Sequence, residues 1–140
     1  MSLHQITYTS ESQMPLDSLE EDLQTLQKRA SANNKTQEIS GVLIYRDGFF
    51  LQRIEGEKLA LEALFKSIQR DSRHQSVEVI SQGEIEERLY KDWTQMQLIT
   101  KKEDMKSLAV FFALLVEKGA RALSDEECHH ATAFIQAHAS

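Results

Sequence analysis

Cysteine is almost missing from this chain. One residue, Cys128, among 140 excludes an internal disulfide and makes a reducing cytoplasm the simplest setting. Proline occurs once and glycine five times, so no low-complexity linker divides the chain, and no glycine loop is present to cradle a phosphate. Basic residues are outnumbered, 16 against 22 acidic, and the net charge of −6 argues against a nucleic-acid surface. The longest apolar run, residues 108–116, falls short of the roughly 20 residues that span a bilayer. The first ten residues, MSLHQITYTS, lack both the charged and the apolar segment of a signal peptide. No Ser/His/Asp set and no glutamate pair is placed for acid–base work, so no catalysis is expected. Cys128, His129 and His130 are neighbours on a helix and point about 100° apart. With His138 too far along the chain to join them, no metal site is expected.

What is present is ordinary for one globular domain: 41% apolar and 27% charged residues. LHQITYTS (3–10) reads as a first strand. In residues 14–34, Leu16, Leu19, Leu23 and Leu26 recur at helical spacing, with Asp17 and Glu20 placed as a capping box and Asn33-Asn34 at the end. ISGVLIY (39–45) and FFLQRIE (49–55) are strands joined by a tight turn at Arg46-Asp47-Gly48. Residues 57–71 form a second helix with Leu61, Leu64, Phe65 and Ile68 on one face. SVEVISQGEI (76–85) and WTQMQLI (93–99) complete a β-α-β-β-α-β-β order. That order predicts an α+β, ferredoxin-like sheet with two helices on one face.

After Thr100 the pattern turns helical. Thr100 with Glu103, and Ser124 with Glu127, are placed to cap helices over 103–118 and 125–139. We therefore divide the chain into a module over 1–100 and a helical extension over 101–140 that is too small to be a domain and packs on the sheet's other face. The first of these two helices carries Phe111, Phe112, Leu114 and Leu115, which cannot all face one sheet. That excess predicts a homodimer or larger homo-oligomer, unless the last helix covers it through Ala131, Phe134 and Ile135.

One residue stands out inside the strands. In GFFLQRIEG (48–56), Gln52 shares a face with Phe50 and Ile54, because successive strand residues alternate sides. An unpaired buried amide costs about 1–3 kcal/mol. Tyr8, on the first strand, faces the same way, and in a ferredoxin-like sheet the first and third strands are adjacent. Phenol and amide under two helices suit the edge of a planar heteroaromatic ligand, and Asn34 is placed to reach the same cleft.

Taken in order, YTS (8–10), NN (33–34) before ISG (39–41), FLQRIEG (50–56), DSRH (71–74) and RLYKDW (88–93) resemble the BLUF family of flavin-based blue-light sensors over residues 3 to about 99. The resemblance implies FAD, with FMN or riboflavin as substitutes, held between the two helices and the sheet. It implies that Tyr8 is the photoactive tyrosine, that Gln52 is the switching glutamine and that Asn34 bonds the isoalloxazine edge. Asn33, Asp71, Arg73 and His74 would lie near the flavin, with Ile39, Leu43, Phe50 and Ile68 packing on it. It further implies that an electron and a proton leave the tyrosine in light and that the glutamine then rotates or tautomerises. A buried Gln52 is then explained as the signal itself.

Three positions depart from the family pattern. Met96 stands one place late after Trp93, so Gln95 or Met96 approaches the flavin depending on whether a bulge absorbs the extra residue. Arg53 replaces a common apolar residue, and Tyr90 a phenylalanine. The chain resembles the short members of the family, which act through a separate partner protein, without enzyme activity and without membrane or nucleic acid. The competing expectations are a flavin-dependent oxidoreductase and a flavin-free interaction module.

Overall fold

The computed structural model describes residues 2–92 and 96–139, leaving the side chains of Asn33 and Asn34 outside the description. Its elements follow the predicted order: β1 (Leu3–Ser12), α1 (Leu19–Gln37), β2 (Ser40–Arg46), β3 (Phe49–Glu57), α2 (Lys58–Arg70), β4 (His74–Ile85), β5 (Gln97–Ile99), α3 (Ala109–Lys118) and α4 (Asp125–Ala139). The five strands form one sheet in the order β4-β1-β3-β2-β5, and only β5 runs parallel to its neighbour, β2.

β3 is paired along its length on both sides, with β1 and with β2. The two-residue turn between β2 and β3 has positive φ at both Asp47 (52°) and Gly48 (90°), the backbone twist that a tight hairpin requires. Pairing of β1 with β4 is interrupted by register shifts between Thr7 and Tyr8 and between Thr9 and Glu11.

Two apolar layers flank the sheet. Under α1 and α2 lie Ile6, Leu43, Tyr45, Phe50 and Ile54, packed with Leu23 and Leu61 of the helices. Val42, Ile44 and Leu51 face the other way and meet Met105, Leu108, Phe111, Phe112, Leu115, Ala131 and Ile135. The helical extension thus shares a core with the sheet.

Several boundaries differ from expectation. Leu16 is 82% exposed, in a 3-10 turn (Leu16–Ser18) ahead of α1 rather than in its apolar row. Near the start of α1 the Ser18 hydroxyl donates to Asp22 at 2.8 Å, and among the described residues Asp17 and Glu20 form no capping box. α1 runs on past Asn33-Asn34 to Gln37. The helix expected over 103–118 is broken: Lys102–Leu108 is a 3-10 segment with non-helical Met105 (φ −137°, ψ 36°), and no side chain caps it, so Thr100 and Glu103 do not serve as predicted. α3 begins at Ala109 and is closed after Lys118 by Gly119, whose φ of 77° suits glycine.

Across the break, Met105 and Leu108 are buried in the same core as Phe111, Phe112 and Leu115, between the sheet and α4. Phe111, Phe112 and Leu115 are thus covered within the chain, whereas Leu114 is half-buried and Val110 and Val116 are exposed.

The second capping box is present. Ser124 N donates to Glu127 Oε1 (2.8 Å) and Glu127 N to Ser124 Oγ (3.1 Å). The bond from Ser124 N, and then that from Lys118 Nζ (2.9 Å), holds the Glu127 carboxyl below its usual range. Ser124→Ala is expected to lower stability by about 1 kcal/mol, read as a reduced urea midpoint at unchanged slope. A midpoint equal to wild type would show that the cap contributes nothing.

Candidate functional site

The two helices and the sheet enclose a cavity of about 320 Å³, within the roughly 300–1,000 Å³ typical of small-molecule sites. Its floor is set by strand register: Tyr8 lies directly opposite Gln52, and Gln52 opposite Leu43. Tyr8 and Gln52 are 3% and 7% exposed. The Tyr8 hydroxyl donates to Gln52 Oε1. Gln52 Nε2 has no protein partner among the described residues, and the side chain lines the cavity. One end of the pair is thus tied to the protein, and the amide's donor end is free for a ligand.

Burial, and secondarily the charge of Asp71, pushes the Tyr8 hydroxyl above the ordinary tyrosine value, so the phenol stays protonated. The ring packs against Phe65 (centroids 5.5 Å) and lies edge-on to His74 (6.3 Å).

The mouth of the cavity is polar. The Arg73 guanidinium grips the Asp71 carboxylate, donating from Nε to Oδ1 (2.9 Å) and Oδ2 (3.0 Å) and from Nη2 to Oδ2. The Asp71 carboxyl is held below the usual range, chiefly by the hydrogen bond from Arg73. His74 Nδ1 pairs with Ser10 Oγ at 2.7 Å, and Nε2 with the Ile68 carbonyl at 2.5 Å. These bonds pin the imidazole between β1 and the end of α2.

Of the residues singled out from the sequence, Tyr8, Leu43, Phe50, Gln52, Ile68, Asp71, Arg73 and His74 all line the cavity. Ile39 is buried but packs elsewhere in the same layer: a Cβ built at Gly56 would stand 3.1 Å from its Cγ1. Asn33 and Asn34 lie on α1, but their side chains fall outside the description, as do Trp93 and Gln95 entirely. Met96 is 2% exposed in the layer under α1, where its backbone accepts from Gln27 Nε2 (2.8 Å) and donates to Ser31 Oγ (2.9 Å). It does not line the cavity.

Sequence reasoning missed Leu26, Arg29, Ala30, Leu64 and Ser67, which complete the walls. The signal was available. Positions 29 and 30 follow 26 on α1 by three and four residues, and 67 and 68 follow 64 on α2 likewise, so each set shares a face.

The BLUF family, described as "Sensors of blue-light using FAD", matches residues 3–97. The chain belongs to the BLUF family. Among curated relatives, photoactivated adenylate cyclase subunit alpha of Euglena gracilis is 38% identical over 85 residues, 61% of this chain and 8% of that protein. The beta subunit of Euglena longa is 35% identical over 94 residues, 66% and 11% respectively. The chain therefore spans only about a tenth of the length of these relatives.

Among solved structures, the BLUF protein BlrB in its dark state superposes with a TM-score of 0.69 at 27% identity, covering 95% of this chain and 96% of that one. The BlsA ground state gives 0.76 at 25% identity, with 96% and 87% covered.

The cavity fits the flavin of a BLUF domain. It has apolar walls for a flat ring system, a buried hydroxyl–amide pair at its floor, and cationic side chains at its mouth. Among the described residues, no helix is long and apolar enough to cross a membrane.

Proposed function

We propose that this chain is a blue-light photoreceptor in which Tyr8 and Gln52 form the photoactive pair beside a flavin held between α1 and α2. The observation that carries the reading is the buried Tyr8 hydroxyl donating to Gln52 Oε1 on the cavity floor. Leu26, Leu43 and Ile68 supply apolar contact, while Gln52 Nε2 and the Arg29, Asp71 and Arg73 side chains supply the polar ones. Bound flavin contributes the blue absorption and a centre that accepts an electron and a proton when excited. Tyr8 would give both, its proton held in place by burial until then, and would take both back as the light-adapted state forms, so that the flavin ends oxidised. Gln52 then exchanges its hydrogen-bond partners, and the rearranged amide is the signal.

FAD is the favoured form because the two arginines at the mouth suit phosphates, although FMN or riboflavin would fill the same inner cavity. Residues 1–100 act as the sensor, and residues 101–140 carry its output to a separate cytoplasmic effector. Full-length relatives are named as photoactivated adenylate cyclases, which makes a nucleotide-cyclising enzyme one class of effector to test. The chain itself is proposed to have no enzyme activity.

Purified protein is expected to be yellow, with a visible band that moves slightly to the red under blue light and returns in darkness. Mass spectrometry of the released chromophore identifies the flavin. A bound flavin whose spectrum does not change after saturating illumination would refute the sensor. Bleaching by NADH or NADPH would favour an oxidoreductase instead.

A further inference from the structure

The face of β3 behind the cavity carries a polar cluster that the photochemistry does not use. Glu55 is fully buried. Arg53 donates to its Oε2 through Nε (2.9 Å) and Nη2 (2.8 Å). The backbone N–H groups of Leu89 and Tyr90 donate to Oε2 (3.0 Å) and Oε1 (2.8 Å). Arg88 ties the same loop to the sheet from the other side, donating to Ser40 Oγ (2.9 Å) and to the carbonyls of Glu55 (3.1 Å) and Glu38 (2.5 Å). One carboxylate on the central strand therefore fixes the backbone at Tyr90.

Tyr90 passes that placement to α4. Its ring is 7% exposed in the layer between sheet and extension. Its hydroxyl bonds His138 Nδ1 at 2.9 Å and reaches the Ile135 carbonyl at 3.4 Å, both in the last turns of α4. The His138 ring stacks on Tyr90 (5.9 Å, 29°) and on Phe134 (5.8 Å, 16°). Burial, and then the negative charge of Glu55, pushes the Tyr90 hydroxyl up, so it remains a protonated donor. A phenylalanine would fill the same space. The hydroxyl is what joins the loop to the helix.

We propose that Tyr90, positioned by Glu55, couples the photoactive strand to the C-terminal end of α4, so that a change at Gln52 on one face of β3 alters how α4 is held on the other. Gln52, Arg53 and Glu55 lie within four consecutive residues of a strand paired on both sides. Backbone displacement at Gln52 therefore carries the Glu55 carboxylate, the Leu89–Tyr90 amides and the His138 contact with it, as one hydrogen-bonded series. Tyr90 is a positioning residue and touches neither the cavity nor its contents. The inference rests on the photoreceptor reading above.

The test is hydrogen–deuterium exchange of peptides covering 131–139, in darkness and under continuous blue light, on flavin-loaded protein, with absorption recorded on the same samples. In wild type, light is expected to change exchange in this segment about threefold or more. Tyr90→Phe is expected to keep the red shift, to raise dark exchange in 131–139, and to lose most of the light-minus-dark difference. His138→Ala is expected to do the same, and the double variant to be no worse than either single one. A wild-type light response in α4 that persists at full size in both variants would overturn the proposal. So would a wild type that shifts its absorption but leaves α4 exchange unchanged. An absence of the red shift in wild type would instead remove the photoreceptor reading, and this coupling with it.

Discussion

Tyr8→Phe is expected to give a protein that remains yellow and folded but no longer shows the reversible red shift. Phenylalanine fills the same volume between Phe65 and His74, so the cavity keeps its shape. What disappears is the hydroxyl that donates to Gln52 Oε1, and with it the only proton donor that the described residues aim at that amide. The stability cost is about 1–3 kcal/mol, that of one buried acceptor left without its partner, which is small enough for the fold and its flavin to survive. Tyr45→Phe is the control. Tyr45 lies in the same layer, packed edge-on to Phe50 at 5.3 Å, without lining the cavity, and its variant should cycle normally. Steady-state absorption before and after blue light decides the matter, and a full wild-type shift in Tyr8→Phe would remove Tyr8 from the mechanism.

The same burial sets a pH expectation. The folded-state value of Tyr8 is raised above 10.0 by desolvation and by Asp71, so its contribution to stability is complete below pH 10 and is lost only as pH climbs towards that raised value. The size of the red shift should therefore hold steady from pH 7 to about pH 9.5, wherever the protein stays folded.

The sheet was legible because its central strands are short runs rich in β-branched and aromatic residues and its tight turn carries Asp-Gly, whose backbone preference is local. The site was legible for a related reason: an amide and a phenol on the apolar faces of neighbouring strands conflict with burial unless they pair, and they do. The broken start of α3 was not legible. Residues 103–118 carry enough apolar positions to read as one helix, yet the backbone kinks at Met105, where both Met105 and Leu108 are buried in the core shared with the sheet and α4. That is a tertiary requirement, which local spacing does not encode. For the same reason Phe111, Phe112 and Leu115 read as a surplus for one sheet when they lie in a core shared by the sheet and α4. Arg29 and Ser67 escaped notice because a helix's polar residues are read by default as its wet side.

Arg53 looked out of place in a strand, and its pairing with Glu55 yields the largest stability effect expected here. Glu55→Ala should destabilise the chain by about 3–5 kcal/mol, the usual cost of removing one partner of a buried ion pair. It strands a guanidinium that is only 9% exposed and leaves the Leu89 and Tyr90 amides without their acceptor. For a chain of 140 residues that corresponds to a fall in melting temperature on the order of 10 °C. Glu55→Gln should lose less, because its carbonyl oxygen still accepts one amide N–H. Replacing both partners, Arg53→Leu with Glu55→Leu, should recover much of the loss from Glu55→Ala, since no charge is then buried alone, although the two loop amides stay unpaired. Urea unfolding of the four proteins separates these contributions. A loss under about 1 kcal/mol in Glu55→Ala would mean that the carboxylate is replaced by water at little cost, and that the 88–90 loop is held to the sheet by Arg88 and by packing rather than by charge.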